Sequence, residues 1–154
     1  MANIFDADTF LDSSAGGPLS TERTLIPEGT YSNCYIDDVK PQEGIIKSGD
    51  REGQPWVRIT FRWVVDDQEL RSRLDRAEVK ISQGVMIDLT PDGKLDFGKG
   101  KNIRLGKLRQ ALGINSGDVQ WRKFIGIPAT IQIKHGINKL DQSQTEEVAA
   151  VAGH

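Results

Sequence analysis

Residues 56–65 constrain the fold more than any other part of the sequence. Apolar side chains occupy every second position there, namely Val57, Ile59, Phe61, Trp63 and Val65. Successive side chains of a β-strand point to opposite faces, so this pattern predicts a strand with one face in a hydrophobic core. The alternate residues, Trp56, Arg58, Thr60, Arg62 and Val64, would then form an outward face.

Other β-regions and one helix are predicted around this strand. Residues 29–39 follow a turn signal and predict the first strand, and the polar residues 40–55 predict a flexible loop. Residues 71–89 predict a third β-region, which Ser82, Gln83 and Gly84 could interrupt, and residues 90–94 predict a tight turn. Residues 102–112 have helical periodicity, with Asn102 as the cap and Gly113 as the end. Strands follow at 129–134 and 145–151, with a loop between them.

This order of elements predicts the fold class. Three β-regions, a helix and two more β-regions are the order of a mainly β, OB-like five-stranded barrel with one helix between strands 3 and 4. We expect a flexible N-terminal arm at 1–24, a single barrel domain at 25–151 and a tail at 152–154. In such a barrel, the loop between strands 1 and 2 and the loop between strands 4 and 5 flank the binding face.

The outward face of the second strand is the candidate binding site. Aromatic rings stack on bases of any sequence and guanidinium groups meet phosphates, so Trp56, Arg58 and Arg62 predict a platform for single-stranded nucleic acid. Arg73 and Lys80 would lie beside this platform. The residues expected to follow the phosphates are Lys47, Arg51, Lys99, Lys101 and Lys139. The alternative is that Arg58 and Arg62 only solvate an exposed sheet face and that Trp56 caps the end of the barrel. We assign Lys107 and Arg109 to the solvated side of the helix.

Charge is unevenly distributed along the chain. The net charge is −2, which argues against attraction to polyanions through bulk charge but leaves local patches open. Residues 99–123 carry Lys99, Lys101, Arg104, Lys107, Arg109, Arg122 and Lys123 against Asp118 alone. The first 30 residues are mainly acidic. The asymmetry therefore favours a basic surface formed by particular loops.

Few residues suit catalysis or metal binding. Cys34 is the single cysteine, and we expect it to be a small buried residue of a strand. With two histidines and no Cys or His cluster, the sequence predicts a non-catalytic protein without a metal or other cofactor. No signal peptide or membrane-spanning run is expected, which favours the cytoplasm.

Four segments carry a resemblance to a known group of proteins: residues 27–31, 53–61, 105–114 and 124–135. With them, the chain resembles bacteriophage-encoded, OB-fold-like single-stranded DNA-binding proteins of replication and recombination gene sets. The resemblance implies a protein that coats single-stranded DNA, with RNA left open as a ligand. Self-association and contacts with replication or recombination proteins are the implied partnerships. The chain departs from many single-strand binders in having no strongly acidic C-terminal tail, and residues 1–25 lie outside the resemblance.

A structural or assembly module is the main alternative. Such a protein would use the same barrel for protein contacts, for example within a virion. The acidic, aromatic-containing residues 6–11 favour this alternative because they could dock on a neighbouring subunit.

Overall fold

A computed structural model describes residues 5–20 and 24–154 of the chain. Its helices are α1 (Ala7–Asp12), α2 (Gln68–Leu74) and α3 (Ile103–Ala111), with a 3₁₀ turn at Trp121–Phe124. Its strands are β1 (Gly29–Ile45), β2 (Pro55–Val65), β3 (Lys80–Ile87), β4 (Ala129–Ile137) and β5 (Gln144–Gly153). They form one five-stranded sheet in the order β3-β2-β1-β4-β5, and every pairing is antiparallel.

The fold is mainly β, as predicted, and α3 lies between β3 and β4 in the chain. It is not closed into a barrel. The two edge strands β3 and β5 contact each other, but no hydrogen-bonded ladder joins them in the part of the chain that the structure describes. What the structure establishes is therefore an open antiparallel sheet whose edges approach each other.

The predicted core face of β2 is confirmed. Ile59, Phe61, Trp63 and Val65 are buried, and Val57 is half-buried against them. The ring of Phe61 lies 5.1 Å from that of Phe124, which the 3₁₀ turn brings under the sheet. The Trp63 indole donates a 2.8 Å hydrogen bond to the Gln83 side chain on β3. One face of the sheet thus packs into a single core, which α3 covers with Leu105 and Leu108.

Cys34 lies in this core, as the sequence predicts. It is buried on β1, and burial raises the pKa of its thiol to about 11. At neutral pH the side chain is therefore a protonated thiol, which behaves as a small apolar group.

The first strand is longer than predicted. Residues 40–45 were expected in a flexible loop, but they continue β1 and pair with β2 from Lys40 opposite Thr60 to Ile45 opposite Pro55. Pairing with β2 satisfies the backbone hydrogen-bonding groups of this polar segment. Local composition does not reveal such a partner. The remaining loop covers residues 46–54 and is short and hydrogen-bonded, with the Gly53 amide donating to the Ile46 carbonyl over 2.8 Å.

The prediction of a third β-region at 71–89 was wrong in its first part. Residues 68–74 form α2, because the Asp67 carboxylate accepts a 3.0 Å hydrogen bond from the Leu70 amide and so caps the helix. Asp75, in the left-handed conformation, ends it. The remainder, β3, runs from Lys80 to Ile87 without the interruption that its Gly84 suggested.

Helix α3 is confirmed, but Asn102 plays a different part from the one predicted. Asn102 has a left-handed backbone (φ 54°) and makes no side-chain cap. Its amide instead ties together the loop that precedes the helix. The side-chain oxygen accepts from the Asp88 amide over 2.8 Å, and the side-chain nitrogen donates to the carbonyls of Asp88 and Asp96, each over 2.9 Å. Asn102 thus holds both ends of the loop 88–101.

Replacing Asn102 by alanine is expected to destabilise the protein by about 2–4 kcal/mol, because it removes these hydrogen bonds and strains a left-handed backbone. Asn102→Gly is the matched control: it loses the same bonds but tolerates the backbone, so it should be about 1 kcal/mol less damaging. Urea denaturation measures both. An alanine variant with the wild-type midpoint would contradict the role given to Asn102.

The last two strands are also longer than predicted. β4 extends to Ile137, so His135 lies in a strand and not in the expected loop. Its ring Nε2 is 2.6 Å from the Ile26 carbonyl oxygen, and its amide donates to the Glu28 carboxylate over 2.8 Å. β5 runs from Gln144 to Gly153 and includes most of the predicted tail.

The predicted N-terminal arm is described only in part. Residues 1–4 and 21–23 of that arm lie outside the described residues. Residues 5–20 are exposed throughout and contain α1. The ring of Phe10, in this helix, lies 5.1 Å from the ring of Phe5, which precedes it. In the residues described, no helix combines the length and apolar character needed to cross a membrane.

Candidate nucleic-acid interface

The outer face of β1, β2 and β3 carries the predicted platform. Residues directly opposite each other in an antiparallel ladder point to the same side, so the register defines this face. Around β2, Gly44 lies opposite Trp56, and Arg58 lies between Gln42 on β1 and Met86 on β3. The remaining rows are Lys40–Thr60–Gly84, Asp38–Arg62–Ser82 and Tyr35–Val64–Lys80.

Trp56 lies flat against the neighbouring strand. Its half-buried indole covers Gly44, so closely that a Cβ atom there would come within 2.5 Å of two ring carbons. Only glycine at this cross-strand position allows the ring to rest on the β1 backbone. The ring is thereby held in one orientation on the outer face, and orientation fixed in advance lowers the entropic cost of stacking on a base.

Arg58 is arranged in the same way over β3. A Cβ atom added to Gly84 would lie 2.9 Å from its Cδ atom, so the aliphatic part of the side chain crosses the glycine. The guanidinium hydrogen-bonds the side-chain oxygen of Gln42, with an Nε to Oε1 distance of 3.0 Å. This partner is neutral, and Arg58 forms no salt bridge with the residues described. Its positive charge is therefore oriented but not neutralised. We call Trp56, Arg58, Gln42, Gly44 and Gly84 the Trp56 end of the face.

Arg62 and Lys80, in contrast, are paired with an acid. The Asp37 carboxylate accepts two hydrogen bonds from Arg62, over 2.8 and 3.1 Å, and lies 3.2 Å from the Lys80 ammonium. Lys80 is also 3.2 Å from Glu78. The Arg62 hydrogen bond, with help from Lys80, lowers the pKa of Asp37, and Asp37 in turn raises the pKa values of Arg62 and Lys80. We call Asp37, Arg62 and Lys80 the Asp37 end of the face.

A β-bulge places two acidic residues of β1, Asp37 and Asp38, beside Arg62. The β1–β2 register shifts between Ile36, opposite Trp63, and Asp38, opposite Arg62, which leaves Asp37 as the extra residue. Bulges redirect a side chain relative to the regular alternation. Asp37 follows the core residue Ile36 and so points to the outer face by alternation, and the bulge keeps the next residue, Asp38, on that same face opposite Arg62.

Two loops add basic residues next to the Trp56 end. The β1–β2 loop carries Lys47 and Arg51 and leads directly into Pro55 and Trp56. An open cleft of about 440 Å³ between this loop and the loop 88–101 is lined by Arg51, Pro55 and Lys101. The structure thus brings together Arg51 and Lys101, which are far apart in sequence, beside the start of β2.

The loop 88–101 also presents an aromatic ring that the sequence analysis missed. Phe97 is 73% exposed and stands two residues before Lys99 and four before Lys101. An exposed ring among lysines is a second candidate for stacking. An unusually exposed phenylalanine cannot be recognised from local sequence, because burial depends on what the rest of the chain covers.

Arg73 and Lys139 lie elsewhere. Arg73 is exposed on α2 and not on a third strand. Lys139 is in the β4–β5 loop, beyond the Gly29 end of β1, because β4 pairs with β1 from Cys34 opposite Ala129 to Gly29 opposite Ile133. The β1–β2 loop lies beyond the other end of β1. The sheet register therefore does not bring Lys139 beside Lys47 and Arg51.

Comparisons with known proteins found no similar protein. No protein-family model matches the chain, and no curated protein or solved structure matches it either.

Neutralising Asp37 is expected to strengthen the attraction of the outer face for polyanions. Asp37→Asn keeps the shape, frees Arg62 and leaves Lys80 paired only with Glu78, so any affinity of this face for single-stranded DNA should rise by about threefold to tenfold at low salt. Asp38→Asn is the matched control: it removes a 3.6 Å pairing with Lys40 and an attraction to Arg62 that is weaker than that of Asp37, so it should raise the affinity less. Fluorescence anisotropy of a labelled strand measures both. Equal affinities for the wild type and Asp37→Asn would show that Arg62 and Lys80 do not contact the ligand.

The pH dependence of this cluster has a definite sign. Because the folded-state pKa of Asp37 is lower than its ordinary value, its ion pairs stabilise the fold above the unfolded-state pKa of about 3.9. That contribution is lost as the pH falls through the folded-state pKa.

Proposed function

We propose that this protein binds single-stranded nucleic acid, DNA foremost, on the outer face of β1, β2 and β3 without catalysing a reaction. The observation that carries the proposal is the arrangement of Trp56 and Arg58. Both side chains lie flat across a glycine of a neighbouring strand, next to two loops that carry Lys47, Arg51, Lys99 and Lys101. A ring and a guanidinium on a level sheet surface are suited to stacked bases and their phosphates.

The distribution of charge supports the Trp56 end as the centre of binding. Arg58 has a neutral partner, and Arg51 and Lys101 face a common cleft. At the Asp37 end, Arg62 and Lys80 are already paired, so a phosphate there would have to displace a carboxylate. The proposal therefore assigns the main contacts to Trp56, Arg58, Arg51 and Lys101, and a secondary role to Arg62 and Lys80.

The finer fold assignment is part of the same proposal. A five-stranded antiparallel sheet with a helix between β3 and β4, and with β3 in contact with β5, supports a partly open OB-like barrel. The resemblance to bacteriophage single-stranded DNA-binding proteins supports a role in coating DNA during replication or recombination. Self-association and contacts with replication or recombination proteins would follow from that role.

The proposal is tested by anisotropy of a fluorescent oligo-dT titrated with protein at two salt concentrations. Binding should weaken as salt rises, because neutralised phosphates release counterions. A duplex of the same length is the control, and it should bind more weakly because its bases are not available for stacking. Flat anisotropy at low salt, or equal affinity for duplex and single strand, would count against the proposal.

Trp56→Ala should weaken single-strand binding by about 1–3 kcal/mol, the usual contribution of one stacked base. Trp121→Ala is a suitable control, since this half-buried tryptophan stacks on Phe124, with ring centroids 5.7 Å apart, and lies away from the β2 outer face. Comparable losses in the two variants would indicate a general effect on the fold instead of a stacking contact.

A structural or assembly module is retained as a second candidate because of the arm. Phe5, Phe10 and Leu11 are all more than half exposed around α1, and such exposed apolar groups often mark protein contacts. This function predicts large assemblies that a variant lacking residues 1–20 no longer forms, and no retention on single-stranded DNA. Light scattering and a DNA column distinguish the two candidates.

A further inference from the structure

Arg109 is the one charged residue that is buried in the part of the chain described here. It lies in the last turn of α3 and is 7% exposed, so the prediction that it belongs to the solvated side of the helix was wrong. A buried cation is costly to keep unless an anion or several hydrogen bonds compensate it. The groups around Arg109 therefore decide how its charge is compensated.

Backbone carbonyls supply only part of that compensation. Nη2 donates to the carbonyl oxygens of Gly117 and Asp118, over 3.2 and 3.3 Å, and the buried Nε has no hydrogen-bond partner among the described residues. None of the salt bridges between described residues includes Arg109. The guanidinium is thus held in position by neutral oxygens, and its charge is not matched by a carboxylate.

A small cavity adjoins this guanidinium. It has a volume of about 140 Å³, and the side chains that can bind a ligand there belong to Arg109, Ser116, Asp118, Gln120 and Lys123, with Phe124 on the apolar side. Sites for drug-sized ligands are roughly 300–1,000 Å³, so this cavity suits a small ion. Two cations and two neutral donors outweigh the single carboxylate of Asp118, which makes an anion the favoured occupant.

We propose that this cavity binds one phosphate group, held by Arg109 and Lys123. A planar guanidinium fixed by its Nη2 bonds can offer its other donors to two oxygens of a phosphate, and a lysine adds a mobile positive charge. The group is either free phosphate or the terminal phosphate of a nucleic-acid strand. The site is formed by α3, the loop 113–120 and the 3₁₀ turn, and shares no residue with the outer-face site.

The Arg109 side chain itself provides the readout. A buried Nε–H exchanges slowly with solvent, so its ¹⁵N–¹H signal can be followed while inorganic phosphate replaces chloride at constant ionic strength. The signal should shift with a saturable dependence on phosphate. Lys123→Gln should weaken this binding by about tenfold, the effect of losing one charge-assisted hydrogen bond. Arg122→Gln, an exposed neighbour outside the cavity lining, should leave it unchanged.

The same titration separates the two sources of phosphate. A short oligo-dT with a 5′-phosphate should produce the shift if a strand end is the occupant, whereas the 5′-hydroxyl form should not. If only inorganic phosphate acts, the free ion is the ligand. A signal that does not move, or that moves equally in Lys123→Gln, overturns the proposal. Thermal unfolding is the second measurement: phosphate should raise the Tm of the wild type more than that of Lys123→Gln.

The phosphate titration of Arg109 tests this site separately from the proposed binding of single strands on the outer face. Trp56→Ala should retain the phosphate-induced shift of Arg109, because the two sites share no residue. Loss of the shift in Trp56→Ala would contradict a separate site. A normal shift in a protein that does not bind oligo-dT would sustain the anion site while the proposed function fails.

Discussion

Reversing the charge of Arg51 and Lys101 together should weaken single-strand binding by about 100-fold, or ~2.7 kcal/mol. The two side chains line one cleft between the β1–β2 loop and the loop 88–101, beside the start of β2. Glutamate at both positions removes two sites of counterion release and adds two charges that repel phosphate. The salt dependence of binding should become shallower in the same variant.

The control for this experiment keeps the overall charge change and moves it elsewhere. Arg104 and Lys107 are an arginine and a lysine exposed on α3, and their replacement by glutamate changes the net charge by the same amount. Anisotropy titrations of both double variants at matched salt concentrations compare local with global charge. If the α3 variant loses as much affinity as the cleft variant, binding depends on bulk charge and the cleft has no particular role.

Replacing Trp63 by alanine should destabilise the protein by about 3–5 kcal/mol, a large share of the stability of a small domain. Trp63 is fully buried on the core face of β2 and hydrogen-bonds Gln83 on β3. The substitution leaves a large cavity at the centre of the sheet and removes the hydrogen-bond donor of the half-buried Gln83 amide. Chemical denaturation followed by circular dichroism measures the loss.

Trp63→Phe separates packing from hydrogen bonding. It retains most of the apolar volume but cannot donate to Gln83, so its effect should be well below that of the alanine variant. A phenylalanine variant as unstable as the alanine variant would mean that the hydrogen bond, not the packing, dominates at this position. An alanine variant of near wild-type stability would contradict the assignment of Trp63 to the core.

Regular patterns in the sequence predicted the parts of the fold that depend on local periodicity. The core face of β2, helix α3 and the tight turn at 90–94 follow from alternation, helical spacing and turn residues, whereas Val64, predicted on the outward face, is buried. The left-handed Gly93 (φ 83°) and Gly113 (φ 75°) stand where the turn and the end of α3 require them. These features could be predicted because each is determined by neighbouring residues.

What the sequence did not reveal depends on distant partners. Residues 40–45 look like a loop until β2 pairs with them, and Asp67 looks like a turn residue until the Leu70 amide donates to it. Arg109 looks exposed by helical spacing, but residues that follow α3 cover it.

The candidate site shows the same division. Trp56, Arg58 and Arg62 could be placed on one face from alternation alone. The glycines that receive Trp56 and Arg58, and the bulge that sets Asp37 and Asp38 beside Arg62, come from neighbouring strands and require the register. The union of Arg51 and Lys101 in one cleft requires the tertiary fold.

Tryptophan fluorescence during titration with oligo-dT is the most direct test of single-strand binding on the outer face, because it reports contact at Trp56 itself. The wild type and Trp56→Phe are compared, so that the signals of the buried Trp63 and of Trp121 cancel. Salt-sensitive quenching is expected in the wild type and should be largely lost in Trp56→Phe, while duplex DNA should have little effect on either. Equal quenching in both proteins, or none while anisotropy is also flat at low salt, would contradict binding of a single strand on the outer face.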